Sequence, residues 1–114
     1  MAVILLVDDD RGVLNLMAAV LRMAGHQALT ASNGLEALAV YRSYSELIEL
    51  IITDLKMPVM DGYELVGRIR ETKPGARIIC MSGYLEDECP KGVKFLHKPF
   101  LPDDVRAAVE EALG

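Results

Sequence analysis

The 114-residue chain has no tryptophan and only two cysteines, Cys80 and Cys89. They form no C-x-x-C pair and no metal-binding array. Cys80 lies within the apolar run Ile78–Met81 and reads as a buried thiol. Positive charge is short as well: 12 Lys and Arg face 17 Asp and Glu, for a net charge of −5. A general nucleic-acid binder needs a basic patch, and so does a protein that adheres to an anionic membrane, so both classes are excluded. No apolar run approaches the ~20 residues of a membrane span. The N-terminal run Ala2–Val7 stops against Asp8, Asp9 and Asp10, with no basic region before it and no cleavage site after it, unlike a signal peptide. Internal repeats, linkers and low-complexity segments are missing too. What remains is 52% hydrophobic and 25% charged, the composition of a globular chain long enough to fold without staples. The expectation is one domain over residues 1–114, reduced and cytoplasmic.

Five short apolar runs are present: Val3–Val7, Gln27–Ala31, Leu50–Thr53, Arg77–Met81 and Val93–Leu96. They are continuous rather than alternating, the habit of strands covered on both faces. Helical patterns lie between them. Val13–Ala24 puts Val13, Leu14, Met17, Val20 and Leu21 on one stripe, and Gly25 ends it. Asn33 and Glu36 form a capping-box signature before Leu35–Tyr44, and Asp61 and Glu64 repeat it before Leu65–Arg70. Pro74–Gly75 stops that helix. Pro102 suits the first turn of a last helix with Val105, Ala108, Val109 and Ala112 inward. Leu85–Gly92 has room for a turn or two at most. The alternation predicts an α/β fold, a doubly wound, flavodoxin-like, five-stranded parallel sheet of order 2-1-3-4-5, with its fourth helix shortened or missing.

The polar residues fall at strand ends. Asp8 and Asp9 follow the first run, Asp54 the third, Ser82 the fourth and Lys98 the fifth. Ligands of open α/β sheets bind outside the carboxyl ends of strands, where the strand order reverses. The three carboxylates, the hydroxyl and the ammonium should therefore share one crevice. Like charges at close range repel, and Lys98 offsets only one of the three. A divalent cation would offset the other two. Hard carboxylate oxygens with room for water suit Mg²⁺ (or Mn²⁺), which also takes phosphate oxygens. Such a site can stabilise a phosphoryl group in transit, and one carboxylate can be the nucleophile. Asp54 is the candidate, with Asp8 and Asp9 as metal holders.

Four segments carry a resemblance: Ile4–Asp10, Thr53–Gly62 (Thr-Asp-Leu-Lys-Met-Pro-Val-Met-Asp-Gly), Met81–Gly83 and Lys98–Phe100. In this order the chain resembles, end to end, the receiver domain of two-component response regulators, including chemotaxis-type regulators. The resemblance implies that Asp54 is the phosphoacceptor, Asp9 a direct Mg²⁺ ligand and Asp8 an acid acting through metal-bound water. Asp54 and the backbone carbonyl of Lys56 would complete the metal ligands. Ser82 would be the switch hydroxyl, Phe95 the switch aromatic, and Lys98 the partner of the phosphoryl group, with a cis bond to Pro99. The donor would be a histidine kinase, a histidine phosphotransfer protein or a small phosphodonor. The expected activity is that of a signalling module, not an enzyme, that assists its own phosphorylation and dephosphorylation.

Departures from the family pattern also carry expectations. The interval from Ser82 to Lys98 is shorter than is usual in the family. Leu101 stands where Ser or Thr often caps the last helix. Lys56 and Tyr84 flank the acceptor and the switch hydroxyl, where bulk is expected to slow attack of water on the phosphoryl group. The Met81–Tyr84 and Phe95–Phe100 runs resemble receivers tethered to hybrid histidine kinases. Elsewhere, His26 is expected to be exposed, His97 to lie on the surface or an edge, and the six methionines to fill core. Tyr41, Tyr44 and Tyr63 are expected to pack on helix faces, with Tyr63 near the site. Two other functions fit parts of the pattern. Asp8-x-Asp10 resembles the Mg²⁺-dependent phosphatases of the haloacid dehalogenase type, although Gly12 stands where that pattern has Thr or Val. A degenerate receiver would bind a partner without phosphorylation. A flavin site is excluded, because acids follow the first strand where a phosphate loop would be needed.

Overall fold

A computed structural model of the chain describes residues 1–83 and 89–114. Its strands are β1 (Val3–Val7), β2 (Gln27–Ala31), β3 (Ile48–Asp54), β4 (Ile78–Ser82) and β5 (Lys94–His97). Its helices are α1 (Arg11–Met23), α2 (Gly34–Tyr44), α3 (Gly62–Thr72) and α4 (Pro102–Leu113). All strand pairs are parallel, in the order β2-β1-β3-β4-β5. This is the flavodoxin-like topology that the alternation implied. Among the described residues no helix lies between β4 and β5, and none is long and apolar enough to cross a membrane. Tyr84 and residues 85–88 of the short connecting segment lie outside the described residues. From Pro90 onward that segment makes a turn, in which the Val93 N–H donates to the Pro90 carbonyl.

The apolar runs are continuous because both faces of the sheet are covered. Ile4, Leu6, Leu50, Ile52, Ile79 and Met81 pack with Leu14, Met17 and Leu21 of α1 and Val105, Ala108 and Val109 of α4. On the other face, Leu5, Val7, Ile51, Ile78 and Cys80 meet Ala37, Leu38 and Tyr41 of α2 and Leu65, Val66 and Ile69 of α3. Each strand thus sends alternate side chains into two cores, which is why no polar alternation marks it.

The elements differ from expectation mainly at their ends. α1 and α3 begin earlier, because Asp10 and Asp61 are their N-caps: Asp10 accepts from the Gly12 and Val13 N–H groups, and Asp61 from that of Glu64. β3 begins two residues earlier, at Ile48, and the exposed Glu49 accepts from the Val3 N–H on the neighbouring strand. Leucine cannot cap α4 with its side chain; the Leu101 N–H instead donates to Asp104 Oδ2 at 2.8 Å. His26 is half-buried rather than exposed, and its Nδ1 accepts from the Ala2 N–H at 3.0 Å. Tyr44 is half-exposed, and Met1 and Met23 are each 87% exposed rather than core.

Val59 holds φ at +71° and is 76% exposed. A β-branched residue is poorly suited to this left-handed conformation, and nothing about its burial offsets the strain. Replacing it with asparagine, which tolerates the conformation, should raise stability by roughly 1 kcal/mol in urea titration. A neutral or destabilising result would remove the assigned strain.

Candidate functional site

The carboxyl ends of β1 and β3 open on a cavity of about 560 Å³ lined by Asp8, Asp9, Asp10, Asp54, Lys56, Gly83 and Lys98. Asp8 and Asp9 leave the end of β1, Asp54 is the last residue of β3, and Lys98 follows β5. One carboxylate oxygen from each of Asp8, Asp9 and Asp54 lies within 4.8 Å of the others. Asp8 is fully buried, Asp54 is nearly so, and Asp9 is exposed. Lys98 spans β1 and β3, with its Nζ 2.7 Å from Asp8 Oδ2 and 3.3 Å from Asp54 Oδ2. The Lys98–Pro99 peptide bond is cis.

The site holds three acids against one bridging ammonium. Burial pushes the Asp54 carboxyl up and Lys98 pulls it down. The nearby charge of Asp8 adds to the upward push, and the net position is above the ordinary aspartate value. Burial also works against the Lys98 ammonium. Its hydrogen bond to Asp8, with the charges of Asp54 and Asp8, outweighs that and holds its pKa above the usual lysine value. The crevice is therefore short of positive charge in a way that hard oxygen donors and an open cavity can correct with a divalent cation.

The sites singled out in the sequence divide. Asp8, Asp9, Asp54, Lys98 and Lys56 all line the cavity. Ser82 ends β4 and is buried, but the next residue, Gly83, is the one that lines the cavity. Phe95 stands apart, half-buried against the α2–α3 core, opposite Cys80 in the ladder. His97 is exposed, with its ring 6.2 Å from that of Phe95. The Lys56 ammonium sits 5.9 Å from the ring centre of the half-buried Tyr63, which places Tyr63 at the border of the site.

Two supports of Asp54 have no motif of their own. The Leu55 N–H donates to Asp54 Oδ1 at 2.9 Å, orienting the carboxylate. Gly62 presses on the backbone of Asp54: a Cβ there would stand 2.2 Å from the Asp54 carbonyl oxygen and 2.8 Å from Leu55 Cα. In sequence, Asp61 reads as the cap of the helix, which gives no hint of this approach by Gly62. The neighbours are backbone and cannot swing aside, so Gly62→Ala should cost roughly 1–3 kcal/mol in denaturant titration. An unchanged midpoint would mean that the first turn of α3 is not held against Asp54.

The family profile described as "Response regulator receiver domain" matches residues 4–110. The chain belongs to the response regulator receiver domain family. Among its relatives, the transcriptional regulatory protein GlrR of Escherichia coli is 37% identical over 116 residues, covering 96% of this chain and 26% of GlrR. This receiver therefore spans about a quarter of that regulator. The chemotaxis protein CheY of Halobacterium salinarum is 35% identical, with 96% of this chain and 95% of CheY covered. The crystal structure of the receiver domain from the hybrid histidine kinase CckA superposes with a TM-score of 0.88 at 33% identity, covering 99% of this receiver and 100% of that one. The receiver is thus a module of two-component signalling that recurs alone, within regulators and within kinases.

Proposed function

We propose that the chain accepts a phosphoryl group on Asp54 and that the modified domain switches its interaction with a partner. One observation carries this reading: the Asp54 carboxylate lies at the mouth of a polar cavity, bridged by Lys98 to the buried Asp8 and close to Asp9. The donor would be a phosphohistidine on a histidine kinase or phosphotransfer protein. An Asp54 oxygen forms its bond to phosphorus as the histidine nitrogen–phosphorus bond breaks, and the bonding pair leaves with the imidazole. Lys98 then exchanges a carboxylate partner for phosphoryl oxygens, and the oriented Leu55 N–H keeps the remaining Asp54 oxygen in place.

Asp9, Asp54, the Lys56 carbonyl and, through water, Asp8 would hold Mg²⁺ or Mn²⁺. The three carboxylates supply hard oxygens in a cluster tight enough for this. When bound, that ion supplies charge neutralisation for the incoming phosphoryl group. The domain promotes its own modification but turns over no separate substrate, so its role is signalling rather than enzymatic. Ser82 would donate its hydroxyl to a phosphoryl oxygen, and Phe95 would turn as β4 and β5 adjust, shifting the population toward the partner-binding form. Lys56 beside the acceptor would slow hydrolysis. A cytoplasmic setting, with tethering to a hybrid kinase as one arrangement, follows from the same reading.

Beryllofluoride tests it without a kinase, because it mimics a phosphoryl group on a carboxylate in the presence of Mg²⁺. Fluorine NMR should show a bound resonance that requires Mg²⁺ and is lost in Asp54→Asn. Absence of binding to the folded chain would contradict the reading and favour a domain that binds its partner unphosphorylated.

A further inference from the structure

The amino ends of β3 and β4, at the opposite end of the sheet from Asp54, open on a second cavity of about 330 Å³. The buried part of its lining is Tyr41 of α2 with Ile48 and Ile51 of β3. The exposed part is charged. Glu46 and Glu49 come from the α2–β3 connection and the start of β3, and Lys73 and Arg77 from the α3–β4 connection. That connection is held in a turn by the Ala76 N–H, which donates to the Lys73 carbonyl at 3.1 Å.

Tyr41 is 2% exposed, yet its hydroxyl makes no hydrogen bond with a described residue. Every sealed side-chain nitrogen and oxygen among the described residues has a partner. The hydroxyl is therefore not sealed: it opens into the cavity that the side chain lines. A buried tyrosine ordinarily finds a partner for this group. Burial pushes its pKa above the ordinary 10.0, so at neutral pH it stands there as an uncharged donor. The charges are uncommitted as well. Lys73, Arg77 and Glu46 form no ion pair among the described residues. Of the four, Glu49 is engaged: its Oε2 accepts from the Val3 N–H at 3.2 Å. Opposite charges thus line one cavity without neutralising one another. A plain anion would meet two acids beside the two cations, and a plain cation the reverse. A ligand that carries both signs satisfies both.

We propose that this cavity binds a small zwitterion of the α-amino-acid class with an apolar side chain. Its carboxylate would pair with Lys73 and Arg77 and accept from the Tyr41 hydroxyl. Its ammonium would pair with Glu46, and its side chain would lie on Ile48 and Ile51. A few polar groups over an apolar floor is the usual make-up of a small-molecule site. The two cavities share no lining residue, so this site does not depend on the chemistry proposed for Asp54.

The test titrates the whole isotope-labelled chain with L-leucine and follows its amide resonances by NMR. Leucine should shift the amides of Glu46, Ile48, Gly75 and Arg77 saturably at millimolar concentration and leave those of Asp9 and Leu55 in place. N-acetyl-leucine lacks the ammonium and leucinamide lacks the carboxylate; each should bind several-fold more weakly. Tyr41→Phe keeps the ring in the core and removes a hydroxyl that no protein group needs. The variant should fold like the parent and bind leucine roughly three- to tenfold more weakly, the worth of one hydrogen bond. Four results would overturn the proposal. One is the absence of saturable shifts at these amides with both leucine and phenylalanine. Another is equal binding of leucine and its two singly charged analogues, which is apolar partitioning alone. A third is tighter binding of either analogue than of leucine. The last is an unchanged affinity in Tyr41→Phe.

Discussion

Lys98→Met is expected to lower stability by roughly 3 kcal/mol in metal-free buffer near neutral pH, the low end of the cost of breaking a buried ion pair. The low end applies because 21% of the Lys98 side chain reaches solvent, while Asp8, its nearer partner at 2.7 Å, is fully buried. Methionine keeps the apolar stem but leaves three clustered carboxylates without a cation. Mg²⁺ should then stabilise the variant more than it stabilises the parent chain, because the ion meets a larger charge deficit. Denaturant titrations of both chains, with and without Mg²⁺, measure all four values. A variant as stable as the parent in the absence of metal would mean that the crevice does not depend on this ammonium.

Asp54→Asn is expected to act in the opposite direction. Burial raises the folded-state pKa of Asp54 above its ordinary value of 3.8. A carboxyl whose pKa is raised on folding binds its proton more tightly in the native state. Its ionisation therefore costs stability: the cost is absent below the unfolded value and fully present above the folded one. Asparagine keeps the shape and removes the charge, and its one amide oxygen accepts from either the Leu55 N–H or the Lys98 ammonium, which Asp54 serves with separate oxygens. In metal-free buffer at neutral pH the variant should melt several degrees above the parent. Its advantage should shrink as pH falls toward 3.8 and below. Mg²⁺ should raise the melting temperature of the parent and not that of the variant, since only the parent keeps the full set of carboxylates. A variant less stable than its parent at neutral pH would place the strain of the crevice elsewhere.

Much of this arrangement could be read from residue order. Acids and a lysine at the ends of continuous apolar runs must meet once the strands are parallel and the order reverses between β1 and β3. That topology follows from the alternation together with right-handed crossovers between five strands. What could not be read were contacts made through backbone. Gly62 approaches the Asp54 carbonyl across a turn, and the Leu55 N–H sets the carboxylate's orientation; neither leaves a side-chain signature. Likewise, His26 looks solitary in sequence because its partner is the amide of Ala2, twenty-four positions away. The early start of β3 is hidden by Glu49, whose charge interrupts the apolar run but finds the Val3 amide on the neighbouring β1. Phe95 was assigned from resemblance, and its place opposite Cys80 rather than in the cavity is a matter of strand register.

The most direct test of the central claim is the intact mass of the protein after incubation with Mg²⁺ and acetyl phosphate, beside Asp54→Asn and a metal-free control. The account predicts the gain of one phosphoryl group by the parent chain, lost in both controls, with the later decay of that species reporting the lifetime that Lys56 is expected to lengthen. A phosphoryl group that appears equally in Asp54→Asn, or without metal, would contradict it.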